Sequence, residues 1–197
     1  MKAEQFLSIV KQAGRLKTTP RHCWTEADRR ESVADHSWRI ALMAMLLSGE
    51  PEFADTDMDR VIRMCLIHDL GEAFTGDIPT FEKSNNDEEK EEDLFLSWVK
   101  SFDKPQQSEW LDLLAEMKEL KTREARTYKA MDKLEALISH NESDLSTWLP
   151  LEYDLQLTYG QENMKFSPYL TELRKCIDAW TRRKIGQDSA EQAGSAE

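Results

Sequence analysis

The feature that most limits how this chain can fold is an apolar run that ends in ionisable residues. From Met58 onward Val61, Ile62, Met64, Cys65, Leu66 and Ile67 recur at helical spacing. His68, Asp69 and, one turn on, Glu72 follow directly. The stretch Cys65-Leu66-Ile67-His68-Asp69-Leu70-Gly71-Glu72 therefore sets charge-bearing groups into a core. On one continuous helix, residues three and four apart share a face, so Glu72 is expected over both His68 and Asp69. An imidazole nitrogen beside a carboxylate oxygen suits a divalent transition metal. Glu72 is then placed to handle a proton on a metal-bound water. An aspartate next to a histidine also serves to orient the ring or cap a turn, so the pair alone leaves both roles open.

Two other helical stripes carry ionisable residues. Ser32 to Ser48 repeats Val33, His36, Ile40, Met43, Ala44 and Leu47, with Ser32 and Asp35 as the capping pair. His36 sits on that stripe, either as a core histidine bonded to a neighbour or as a ligand if this helix packs against His68. Arg123 to His140 repeats Ala125, Tyr128, Met131, Leu134 and Leu137, with Asp132 beside the apolar face. An unpaired buried carboxylate is costly, and a metal would supply its partner.

Ala3–Gln12, Asp87–Phe102, Gln107–Leu120 and Ser167–Lys184 read as further amphipathic helices, the first stopped by Gly14. Leu145 to Met164 is interrupted at Pro150. Seven glycines, six prolines and no long Val, Ile or Thr runs point to an all-α protein. A length of 197 residues fits a single domain over 1–185, with a small, polar and disordered tail over 186–197. Arg15 to Arg30 reads as a polar, irregular loop. In it Arg21 and Trp24 are suited to a phosphate and a flat base, while Trp24 would equally serve to plug the loop onto the core. Gly76 and Pro79 end the helix through Glu72 and fix Asp77 nearby, as a cap or as a second carboxylate.

The formal charge of -12 argues against a nucleic-acid duplex as partner. It leaves room for a small anion held locally by a metal and a few arginines. Cys23, Cys65 and Cys176 are far apart and form no CxxC pair, so no disulfide framework is expected, and a reducing, cytoplasmic location is. No apolar run reaches membrane-spanning length and no signal peptide is evident, so no membrane partner is expected.

The order His36, His68-Asp69, Asp132 resembles the HD-domain phosphohydrolases, whose signature is H…HD…D. Four strings are similar to the branch containing the 5′-deoxynucleotidases: Arg29-Arg30-Glu31-Ser32-Val33-Ala34-Asp35-His36-Ser37, Ile67-His68-Asp69-Leu70-Gly71-Glu72, Thr75-Gly76-Asp77-Ile78-Pro79 and Tyr128-Lys129-Ala130-Met131-Asp132-Lys133-Leu134. The resemblance implies a single-domain helical HD-type bundle in which His36, His68, Asp69 and Asp132 hold a metal. It makes Glu72 and Asp77 the acid–base pair and places Arg21 on the substrate phosphate, with Arg29 or Lys17 assisting and Trp24 toward the base. His22 stands where some members have a tryptophan. With His22 and His140 the only histidines left over, one divalent ion is expected, as manganese, cobalt, iron or zinc. The implied reaction is hydrolysis of the 5′-phosphate monoester of a (deoxy)nucleoside monophosphate to nucleoside and phosphate, with base and sugar preference left open and a homodimer as the family expectation. The sequence leaves two alternatives open: another nucleotide substrate, triphosphate or cyclic, and a nucleotide sensor without turnover.

Overall fold

Helix α2, Val33–Leu47, starts where its cap predicts: Ser32 Oγ accepts from Asp35 N–H while Asp35 reaches back to Ser32 N–H. Its buried face, Val33, Ile40, Ala44 and Leu47, packs on helix α3, Met58–Ile67, through Val61, Met64 and Cys65. Both helices pack on α7, Arg123–Glu142, whose inner face carries Ala125, Tyr128, Met131, Leu134 and Leu137. These three helices make the core. Because His36 and Asp132 lie on the same inner faces, the packing that buries the apolar residues also buries them, at 0% and 7% exposure.

In this computed structural model the described residues are 1–26 and 28–194, with side chains described as far as 187. The remaining helices are α1, Ala3–Ala13, α4, Glu72–Thr75, α5, Asn85–Val99, α6, Lys104–Glu119, α8, Glu152–Thr158, and α9, Pro168–Gly194. The acidic run at Asp87 is a helix start, with Ser84 and Asp87 forming a second capping box. The tail expected over 186–197 falls mostly on residues whose side chains or whole placement lie outside the described residues.

Two expectations need correction. The Arg15–Arg30 segment is not an irregular loop. It holds a short 3-10 turn, Gly14–Thr18, and an antiparallel hairpin of β1, Pro20–Glu26, and β2, Arg29–Ser32. Strand β1 shows no alternation of burial, with Arg21 to Trp24 all half-buried because the strand lies along α7. Ser143 Oγ holds it there by accepting from Trp24 N–H and donating to Trp24 C=O.

The helix entering His68 is also not continuous through Glu72. It ends at Ile67, after which Leu70, Glu72, Ala73 and Phe74 bond back three residues rather than four. The tightened turn brings Gly71 against α5, where an added Cβ would stand 2.8 Å from Glu91 Cγ. Among the described residues no helix is long and apolar enough to cross a membrane, and Cys23, Cys65 and Cys176 are free.

Candidate metal centre

Four side chains from three segments converge: His36 from α2, His68 and Asp69 from the turn after α3, and Asp132 from α7. His36 Nε2 lies 3.7 Å from Asp69 Oδ2 and 3.4 Å from Asp132 Oδ1. His68 Nε2 lies 2.9 Å from Asp69 Oδ2 and 3.9 Å from Asp132 Oδ1. Ligand atoms of His36, His68 and Asp69 all fall within 4.8 Å of one another.

The backs of both rings are already occupied. His36 Nδ1 donates to the carboxylate of Glu135, and His68 Nδ1 donates to the Cys65 carbonyl at 2.9 Å. These bonds fix the ring orientations, so that each Nε2 faces the shared point. Both Nε2 atoms are buried and lack a hydrogen-bond partner, an arrangement that costs stability unless something else binds them. Two imidazole nitrogens and two carboxylate oxygens around one point are a fitting donor set for a divalent transition metal.

Electrostatics agree. Burial works against an ionised Asp69, but His68 and His36 outweigh it and hold the carboxyl well below the usual range. Asp132 is likewise held low against burial, by Lys129 and Lys133. Their ammonium groups stand 2.9 Å and 3.5 Å from Oδ2, which leaves Oδ1 facing the histidines. Burial and Arg21 oppose a proton on His36, yet Glu135 and Asp132 push it up to about 9. Positive charge is therefore favoured at the point these residues surround. A second acidic group, Glu31, His36 and Glu135, is already neutralised by Arg21 on Glu31 and Arg39 on Glu135.

Beside this centre is a cavity of about 260 Å³ that Asp69, Asp132, Glu72, Asp77 and Arg21 all line. Glu72 is pushed up to about 11 by burial and by the negative charges of Asp69 and Asp77. Burial raises Asp77 as well, against the opposing charge of Arg21. Burial and the nearby negative charges thus favour a proton on this pair of carboxyls. Gly76, at φ +82°, turns the chain between them, a conformation that L side chains rarely adopt. Arg21 donates through Nε to Glu31 at 3.0 Å and reaches within 3.5 Å of Asp69. It presents a half-buried, permanently charged guanidinium at the cavity wall.

The structure brings together His36, His68, Asp69, Asp132, Glu72, Asp77 and Arg21. It does not bring in Trp24 or Arg29, neither of which lines the cavity. Trp24 lies under the Arg30 guanidinium at 5.0 Å, and Arg29 is half-exposed and pairs with Asp35 at the α2 cap. Sequence reasoning missed Glu135 behind His36 and the cavity-lining Lys129, Lys133, His22, His140, Glu152 and Tyr159. For the lysines and His140 a signal existed: positions 129, 132, 133, 136 and 140 share one helix face.

The HD domain family profile matches residues 13–174. A 5′-deoxynucleotidase HDDC2 of Dictyostelium discoideum is 32% identical over 142 residues, covering 68% of this chain and 74% of that protein. The 5′-deoxynucleotidase HDDC2 of Bos taurus is 28% identical over 194 residues, covering 96% and 92%. Among solved structures, a "Predicted metal-dependent phosphohydrolase" from Magnetospirillum magnetotacticum MS-1 superposes with a TM-score of 0.76 at 29% identity, covering 90% of this chain and 94% of that one.

Proposed function

The chain belongs to the HD domain family, and on that premise we propose that it is a metal-dependent 5′-deoxynucleotidase, releasing phosphate from a deoxynucleoside 5′-monophosphate. The observation that carries this reading is the pair of buried, partnerless Nε2 atoms of His36 and His68 facing Asp69 and Asp132. The 5′-deoxynucleotidases among its relatives supply the substrate class.

His36, His68, Asp69 and Asp132 would hold one divalent ion, as manganese, cobalt, iron or zinc. Such an ion supplies an activated water and neutralises phosphate charge. The protein's own part is electrostatic and proton-handling. Arg21 offers a bidentate donor pair to the phosphate oxygens, with Lys129 and Lys133 completing a cationic rim. The Glu72–Asp77 pair, a buried carboxyl beside a half-buried one, favours holding a proton, ready to be given to a leaving alkoxide and replaced from water. A nucleotide sensor without turnover has no use for such a pair. Three free cysteines support a reducing compartment such as the cytoplasm.

The test is phosphate release from a panel of ribo- and deoxynucleoside 5′-monophosphates by chelator-stripped protein resupplied with manganese, cobalt or zinc. Metal-dependent release that favours the deoxy series is expected. A metal-loaded protein that releases phosphate from none of them would overturn the reading.

A further inference from the structure

The cavity does not end at the metal centre. It follows α7 from Asp132 past Ala136 and Leu137 to His140, about 12 Å on by the helical rise. That span suits the distance from a 5′-phosphate to the far edge of its base. The far wall is built by His140, by His22 on β1 and by Glu152 at the start of α8. Between the two ends stand Pro79 and Phe81 from the chain after α4, with Leu155 of α8. A flat ring fits among these apolar side chains.

Glu152 is only 4% exposed, yet it lines the cavity. Leu149 N–H donates to its Oε2 at 2.6 Å, His140 Nε2 lies 3.6 Å from the same oxygen, and His22 Nε2 lies 3.0 Å from Oε1. His140 Nδ1 contacts Cys23 Sγ at 3.4 Å, but the Nε2 atoms of both rings are buried and complete no hydrogen bond. The His140 side chain is 9% exposed. An acceptor-only group is thus flanked by two imidazole Nε2 atoms at the end of the cavity away from the metal centre. A cap for α8 would need only the Leu149 contact.

We propose that this far wall reads the base edge of the nucleotide, with Glu152 accepting N–H donors and thereby favouring guanine. The proposal rests on the nucleotidase reading for the orientation of the ligand. Guanine alone among the common bases carries two adjacent donors, N1–H and the N2 amino group, which one carboxylate binds side by side. Thymine sets its single N–H between two carbonyl oxygens, which the carboxylate repels. A site built to bond a substrate N–H discriminates against the analogue that lacks it.

The test measures binding of 2′-deoxyguanosine, 2′-deoxyinosine and thymidine to the metal-loaded protein by titration calorimetry. These nucleosides have no phosphate to hydrolyse, and deoxyinosine differs from deoxyguanosine only in lacking the N2 amino group. Deoxyguanosine is expected to bind about tenfold more tightly than deoxyinosine, with thymidine weaker still. In Glu152→Gln, checked for folding by its melting curve, the guanosine–inosine ratio should collapse toward one. Equal affinities in the unaltered protein, or an unchanged ratio in a folded Glu152→Gln protein, would overturn the proposal. If that variant does not fold, the ratio in the unaltered protein decides. A tenfold preference in a protein that hydrolyses no monophosphate would sink the nucleotidase reading and leave this one standing.

Discussion

Glu135 accepts the Nδ1–H of His36 with both side chains fully buried, although the two residues are 99 positions apart. The same carboxylate takes Arg39 Nε at 2.7 Å and Ser139 Oγ at 3.0 Å on its other oxygen. Held from behind in this way, His36 has one orientation, with Nε2 toward Asp69 and Asp132. The carboxylate also makes that nitrogen a more basic ligand.

Glu135→Gln keeps an acceptor behind His36 but removes the charge. Metal affinity is expected to fall about 10- to 100-fold, read by competition with a calibrated chelator. Affinity unchanged within twofold would show that Glu135 serves only the fold.

Asp69→Ala and Glu72→Gln should separate binding from proton transfer. The first is expected to lose both metal, by elemental analysis, and turnover. The second should keep its metal while kcat falls roughly a hundredfold to ten-thousandfold. Full metal occupancy in Asp69→Ala would contradict the ligand set derived from these distances.

Gly76→Ala tests the turn that presents Asp77. No atom lies within 4 Å of the added methyl, so the effect is backbone strain alone at φ +82°. Such strain costs on the order of 1–3 kcal/mol, visible in a urea titration. Turnover should drop while metal content does not, because Asp77 moves and the ligands stay.

His140 makes stability depend on pH. Burial, with help from His22 and against Glu152, lowers it from 6.5 to about 4. Between those values the unfolded chain binds a proton that the folded protein refuses, so stability falls as pH drops from 6.5 toward 4. Above that window its contribution is constant. Urea midpoints at pH 7.5, 6 and 5 should show the slope, and His140→Gln should flatten part of it. Parallel slopes for the two proteins would show that His140 is charged in the fold.

Much of this was legible along the chain. The caps at Ser32 and Ser84 and the stripes of α2, α3 and α7 are local, because helical periodicity and capping act within one or two turns. The H…HD…D resemblance singled out His36, His68, Asp69 and Asp132. Their meeting was legible in part for a related reason: an ionisable residue on an apolar stripe has to be buried and therefore has to be partnered. The turn after Ile67 was not, since an apolar helical run has the same period whether or not it tightens after its last turn. The hairpin was hidden because β1 has no alternation to read, being half-buried along α7 rather than packed by one face.

The sequence by itself determined which helices form, which faces turn inward and which polar groups those faces carry, because these follow from spacing over a few residues. Only the tertiary structure decided what meets them there. Glu135 behind His36, Arg21 between Glu31 and Asp69, and Glu152 between His22 and His140 are contacts across the chain. Trp24 and Arg29, equally plausible along the chain, fell outside the cavity for the same reason. The partners of a buried charge are set by how the helices pack, and no local pattern records that.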